Sequence, residues 1–138
     1  METTSFPFIS VIIPAYHDAS RLHRTLRRLC AIRKREYRNL EIVVSVRPSR
    51  DTTEAVARRY ADRVVHNRSL SEARNKGAKV ARGEYFIFLD ADAAPSFGTI
   101  SVIARQLRPD RIGTCTAYSA KRGLKPWCAT AAQNFVRW

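Results

Sequence analysis

Short apolar runs alternate with amphipathic segments along most of this chain, and this alternation limits the fold more than any other feature. Residues 8–15 (FISVIIPA) and 40–46 (LEIVVSV) are continuous β-branched and apolar runs, as in strands that are buried on both faces. Further strands are predicted at residues 63–66, 85–89 and 111–119. The alternation predicts an α/β fold, with a mostly parallel sheet, right-handed crossovers and helices on both faces.

Helical spacing of apolar residues, with capping residues at the helix starts, fills the segments between the predicted strands. The predicted helices are Asp18 or Ser20 to near Arg35, Thr52 or Thr53 through Tyr60, Ser69 to Gly83, and Ser96 through Leu107. In the last of these helices, Phe97 is expected to face the core.

The composition is strongly basic but rich enough in apolar residues to fold. The 138 residues include 25 Lys+Arg and 12 Asp+Glu, a net charge of +13, and 45% are hydrophobic. We therefore expect one domain over residues 1–138. The basic cluster at residues 21–38 would suit an anionic membrane surface, a lipid phosphate or nucleic acid. Because no signal peptide or apolar stretch of about 20 residues occurs, we expect a cytoplasmic location with peripheral membrane contact as an option.

Ligands of such sheets bind beyond the carboxyl ends of the strands. That rule predicts a rim built from residues 14–18, 47–51, 66–69 and 90–92. Asp90 and Asp92 directly follow the fourth predicted strand, and residues i and i+2 point the same way while the backbone is extended. Two carboxylates suit Mg²⁺ or Mn²⁺, whereas the alternative interpretation is that they cap a helix N-terminus.

Two segments carry a resemblance to a known family. Residues 67–92 (NRSLSEARNKGAKVARGEYFIFLDAD) resemble the Ala-Arg-Asn-x-Gly, Ala-x-Gly and Asp-x-Asp pattern of family 2 glycosyltransferases with the GT-A fold. Residues 14–18 (PAYHD) resemble that family's opening Pro-x-Tyr-Asn-Glu. The resemblance implies a Rossmann-like GT-A sandwich and a nucleotide-diphosphate sugar donor such as a UDP- or GDP-sugar. It also implies Mn²⁺ or Mg²⁺ and inverting transfer to an acceptor hydroxyl or lipid phosphate.

The resemblance further implies roles for several side chains around the donor. Tyr16 and Asp18 would lie against its base and ribose, and Arg74 would lie beside the nucleotide. Asp92 would be the main metal ligand and would bridge to the diphosphate. The implied donor-binding residues are Pro14, Tyr16, Asp18, Arg47, Arg74 and Asp90, and the implied metal ligands are Asp92 and Asp90.

Two departures from the family pattern bear on activity. Where the family has Val-Val-Asp-Asp-Gly-Ser, this chain has VSVRPS at residues 44–49. Arg47 therefore occupies a position where the family has an acid that holds the nucleotide base. Asp51 would replace that acid in part if its loop bends back. After Asp92 the sole carboxylate is Asp110, in a turn predicted at the opposite end of the sheet, so Asp110 is a weak candidate base. Members of this family are ordinarily longer, and the resemblance implies an acceptor-binding half that this chain is expected to lack.

Three functions stay open on the sequence. Sugar transfer is favoured, and a catalytically inactive nucleotide-sugar-binding module of the same fold is the alternative. A basic nucleic-acid-binding protein is less favoured, because no helix-turn-helix, zinc-finger or ribonucleoprotein motif occurs. Homo-oligomerisation is left open.

Overall fold

A computed structural model describes residues 6–108 and the backbone of residues 135–136. The elements in chain order are β1 (Ile9–Ala15), α1 (Ala19–Arg35), β2 (Leu40–Val46), α2 (Thr53–Tyr60), β3 (Arg63–His66), α3 (Leu70–Val80), β4 (Tyr85–Phe88), α4 (Thr99–Gln106) and β5 (Phe135–Val136). None of these helices combines the length and the apolarity needed to cross a bilayer.

The strands form one sheet in the order β3-β2-β1-β4-β5. β1 to β4 are parallel to one another, and β5 pairs antiparallel with β4. β1 lies between β2 and β4, with Ile9 opposite both Leu40 and Tyr85. The predicted mostly parallel sheet is confirmed, and the carboxyl ends of β1 to β4 meet at one edge.

Helices cover both faces of the sheet, as the sequence predicts. Alternate residues of β1, including Val11 and Ile13, join a core that contains the buried sides of α1, α2 and α4. Ile12 points to the other face, where it packs with residues of α3. Because both faces are covered, every residue of β2 is buried, which explains its uninterrupted apolar run.

Two glycines allow close approach to β1, Gly83 at its amino end and Gly77 at its middle. A Cβ on Gly77 would overlap a β1 side chain, and one on Gly83 would lie 2.5 Å from the backbone nitrogen of Ser10. The Gly83 amide donates to the Ser10 hydroxyl at 2.8 Å, and that hydroxyl donates to the buried carboxylate of Glu41. Arg63 Nε donates to the same carboxylate at 2.9 Å, so the buried negative charge has a partner.

Several predicted boundaries differ from the structure. α3 ends at Val80 rather than at Gly83, which follows the helix and contacts β1. α4 begins at Thr99, after Gly98 adopts a left-handed φ of 89° at the N-cap. Phe97 therefore precedes the helix and is 45% exposed, so its predicted inward position is wrong. The strand predicted at residues 111–119 lies outside the described residues.

Candidate functional site

A cavity of about 400 Å³ lies at the carboxyl edge of the sheet. The loops that follow β1, β2, β3 and β4 all contribute to it, which is the arrangement that the rim of polar loops predicts. The lining residues are Pro14, Ala15, Tyr16, Asp18, Arg21, Arg47, Asn67, Leu70, Ala73, Asp90, Ala91 and Asp92.

The cavity brings together most of the side chains that the sequence singles out. Six of the predicted donor-binding and metal-binding residues line it, namely Pro14, Tyr16, Asp18, Arg47, Asp90 and Asp92. Arg74 does not line this cavity: it is exposed on α3, while its neighbour Ala73 reaches the cavity wall. Asp110 lies outside the described residues.

A hydrogen-bonded turn positions the two predicted metal ligands. The Ala93 amide donates to the Asp90 carbonyl at 3.1 Å, so the chain has already left the extended conformation between Asp90 and Asp92. The extended backbone that would point both side chains the same way is absent here, yet both aspartates line the same cavity. The buried Thr25 hydroxyl on α1 donates to the Ala91 carbonyl at 2.8 Å, which ties the middle of the turn to the helix.

The residues of this turn suit a divalent cation that is shared with a phosphate ligand. Asp90 and Asp92 are exposed, and within residues 6–108 neither carboxylate has a hydrogen-bond or ion-pair partner. Mg²⁺ is commonly held by one or two carboxylates together with substrate phosphates and water. No group of three or more His, Cys, Asp or Glu converges in the described part of the chain. The phosphate oxygens would therefore complete the coordination.

An aromatic and a guanidinium group stand together at the cavity. Arg47 Cζ lies 4.5 Å from the centroid of the Tyr16 ring, and the His17 ring meets Tyr16 edge-on at 4.5 Å. His17 has a φ of 51°, a left-handed conformation in which Asn, Asp and His are enriched. This explains how His17 occupies the position where the family pattern has Asn. Arg47, which replaces an acid of that pattern, stacks on the neighbouring aromatic ring.

The two acids in the loops that follow β1 and β2 differ in their availability. Asp18 is at the N-cap of α1, pairs with Arg21 at 3.5 Å and lines the cavity. Asp51 instead accepts hydrogen bonds from Ser49 and Thr53 at the start of α2. The Ser49 hydroxyl, followed by that of Thr53, holds the pKa of Asp51 at about 2. Because the Asp51 carboxylate is held by these two hydroxyls and by the Thr53 amide, and does not line the cavity, it does not replace the missing acid.

Some lining residues had no role predicted for them from the sequence, although Asn67 falls within the predicted rim of residues 66–69. Asn67 is buried directly after β3, and its side-chain amide donates to the Ser45 hydroxyl at 3.0 Å. Its position directly after a strand could have indicated a cavity residue, as the same position did for Asp90 and Asp92. Leu70 and Arg21 line the cavity from the first turns of α3 and α1. Thr25 offered no signal, because a threonine within an amphipathic helix is ordinary.

Known proteins resemble this chain in both sequence and structure. Validoxylamine A glucosyltransferase from Streptomyces hygroscopicus subsp. jinggangensis is 35% identical over an alignment of 133 positions that covers 86% of this chain and 31% of that protein. An uncharacterized glycosyltransferase from Rickettsia typhi is 34% identical over 95 residues, covering 66% of this chain and 29% of its own length.

Among solved structures, the mannosyltransferase PcManGT from Pyrobaculum calidifontis, in complex with GDP-Man and Mn²⁺, matches with a TM-score of 0.66. It is 28% identical, and the match covers 77% of this chain and 34% of that protein. The chain thus spans about a third of the length of these proteins. The sequence model of Glycosyl transferase family 2 matches residues 10–134. That match covers most of the 138 residues, and the chain therefore belongs to glycosyl transferase family 2.

Proposed function

We propose that this chain is the donor-binding part of a glycosyltransferase. It would transfer a sugar from a UDP- or GDP-sugar to an acceptor hydroxyl or a lipid phosphate, with inversion and with Mn²⁺ or Mg²⁺ as cofactor. The convergence of Asp90, Asp92, Tyr16 and Arg47 on one cavity carries the proposal. The similarity to a mannosyltransferase in complex with GDP-Man and Mn²⁺ supports the donor and cofactor classes. The cytoplasmic location stays a prediction, and homo-oligomerisation stays open.

The cavity residues divide the work of binding a nucleoside diphosphate. A divalent cation, when bound, would stabilise the negative charge that develops on the departing diphosphate. Asp90 and Asp92 would hold it from the protein side, with the turn at Ala91 fixing their separation. Arg21 and Arg47 line the same cavity and would attract the phosphates during association. Tyr16 is 44% exposed there and offers an aromatic surface to a base.

A second candidate function is nucleotide-sugar binding without transfer. Inverting transfer needs a base that removes the acceptor proton. The carboxylates that line the described cavity are those of Asp18, Asp90 and Asp92. The first is paired with Arg21 and the other two are the proposed metal ligands, so the described residues leave no further cavity carboxylate for this step. Asp110 stays a weak candidate.

The test is isothermal titration of UDP, GDP and their sugar conjugates, with and without Mn²⁺. We compare the wild type with Asp92→Asn and with Glu54→Gln, which removes one exposed carboxylate charge on α2, away from the cavity lining. We expect metal-dependent binding that is lost in Asp92→Asn and kept in Glu54→Gln. Absence of nucleotide binding with metal present, or unchanged binding by Asp92→Asn, would contradict the proposal. Binding without turnover on any hydroxyl or lipid-phosphate acceptor would favour the second candidate.

A further inference from the structure

Helix α1 presents a continuous basic surface, which we call the α1 stripe. Residues three, four or seven apart on a helix share a face, and α1 contains no Asp or Glu in its 17 residues. Its buried residues lie on the opposite side, against the sheet. The α1 stripe consists of the exposed residues Arg21, Arg24, Arg27, Arg28, Lys34 and Arg35.

The positive charge of the α1 stripe is mostly uncompensated. On α2 and α3, Arg58 and Lys76 pair with glutamates of their own helix at 2.7 and 3.0 Å. Within the stripe, Arg21 reaches Asp18 at 3.5 Å, and the other five residues have no ion pair in the described part of the chain. Such a cluster is attracted to a surface that carries many negative charges.

One exposed apolar side chain contacts the stripe, and another lies on the helix that follows it. Phe97 and Val102 are 45% and 53% exposed, although both are large and apolar. Arg28 Cζ lies 5.3 Å from the centroid of the Phe97 ring, so the stripe and Phe97 form one surface. α4, which carries Val102, is held beside the end of α1 because the Gly98 amide donates to the Glu36 carboxylate at 2.8 and 2.9 Å. α4 also contains no acidic residue.

We propose that the α1 stripe, together with Phe97 and Val102, docks on an anionic lipid bilayer. The guanidinium groups would contact headgroup phosphates, while the two apolar side chains would enter the boundary between headgroups and acyl chains. This pairing favours a bilayer over nucleic acid, because phosphate contacts along a nucleic-acid backbone make no use of an exposed valine. Arg21 belongs to both the stripe and the cavity lining, so the bilayer would lie beside the cavity. Docking does not depend on sugar transfer.

The experiment is co-sedimentation of the full chain with vesicles of phosphatidylcholine alone or with 30% phosphatidylglycerol, at about 150 mM salt. Arg24→Glu/Arg27→Glu is compared with Lys79→Glu/Arg82→Glu, which makes the same charge change on exposed residues at the end of α3, on the other face of the sheet. Each basic residue near an anionic surface contributes about fivefold to binding. We therefore expect the stripe variant to lose at least about tenfold in partitioning to anionic vesicles, and the control less than about twofold.

A third variant, Phe97→Ser/Val102→Ser, tests the apolar contribution at unchanged charge. At about 500 mM salt, where the Debye length is a few ångströms, residual binding should depend on these two side chains and fall several-fold in this variant. Equal losses in the stripe and control variants would overturn the proposal, since binding would then follow net charge alone. It would also be overturned if anionic vesicles bind no better than neutral ones, or if a 20-base-pair DNA duplex binds through the stripe while vesicles do not.

Discussion

Thr25 gives the sharpest test of how the scaffold positions the two cavity aspartates. Its side chain is 1% exposed and its hydroxyl donates to the Ala91 carbonyl, between Asp90 and Asp92. Thr25→Val keeps the shape of the side chain but removes the donor. The Ala91 carbonyl, on a residue that is 6% exposed, then loses its partner. A buried polar group left without a partner costs about 1–3 kcal/mol, and we expect a loss of unfolding free energy in that range.

The same change should act on ligand binding more specifically than on stability. Groups that orient metal-ligating side chains typically affect metal affinity by about 10–100-fold when they are removed. Because Thr25 acts on the backbone of the turn rather than on the carboxylates, we expect the lower end, about tenfold. The assays are urea unfolding and titration of Mn²⁺ with the nucleotide sugar that binds the wild type.

Tyr37→Phe is the matched control for this variant. The Tyr37 hydroxyl donates to the Pro7 carbonyl at 2.6 Å, near the amino end of β1 and far along the strand from the cavity. Its loss removes one hydrogen bond to a backbone carbonyl, as Thr25→Val does, and should leave metal-dependent affinity unchanged. Thr25→Ser keeps the hydroxyl and should restore binding. Equal affinity losses in Thr25→Val and Tyr37→Phe would refute a positioning role, as would wild-type affinity in Thr25→Val.

Other expected outcomes concern the amino end of the sheet and Asp51. Gly83→Ala should lower the free energy of unfolding by more than about 3 kcal/mol, because the new Cβ would meet backbone atoms. Gly77→Ala should lower it less, because its Cβ would meet a side-chain methyl and alanine adds about 1 kcal/mol of helix propensity. Urea unfolding ranks the two. Glu41→Gln should cost about 3 kcal/mol by leaving Arg63 without its buried partner, with Glu41→Gln/Arg63→Met recovering part of the loss in a double-mutant cycle. The pKa of Asp51 is lowered from 3.8 to about 2. Its contribution to stability is therefore present above about pH 4 and declines as the pH falls toward 2. An NMR titration of its carboxyl carbon with a midpoint near 4 would contradict this.

The sheet was predictable because its signal is local. The continuous apolar run of β2 reflects burial on both faces, and the alternation with helices leaves few topologies once crossovers are right-handed. Helix ends were less predictable, because they depend on contacts that are distant in sequence. In the sequence, Gly83 is typical of a residue that ends a helix. In the structure the helix has already ended at Val80, and the Gly83 amide donates a hydrogen bond to Ser10, 73 residues away. Phe97 likewise matches the helical spacing of apolar residues, but Gly98 is the N-cap of α4, so the helix begins only after Phe97.

The site was predictable as a set of loops and less so as a geometry. Parallel strands bring their carboxyl ends to one edge, so Asp90 and Asp92 could be expected beside the loop that contains Tyr16. The turn that holds the aspartates was not predictable, because the Thr25 hydroxyl that ties it to α1 is 66 residues away in sequence. The position of the Asp51 side chain was also not predictable, because a carboxylate two residues before a threonine can either bond at a helix start or face a ligand. Hydrogen bonds from the Ser49 and Thr53 hydroxyls and from the Thr53 amide show that the carboxylate stabilises the start of α2.

The charges that line the cavity bear on the order of binding. Three carboxylates (Asp18, Asp90 and Asp92) and two guanidinium groups (Arg21 and Arg47) line it, a formal charge of −1. A nucleoside diphosphate is anionic, so in the metal-free cavity the three carboxylates oppose its binding while the two arginines favour it. A divalent cation would turn the lining charge to +1, and the interaction with phosphate would become attractive. The two arginines are too few to balance the three carboxylates, so this set of side chains favours the proposed metal-dependent donor binding.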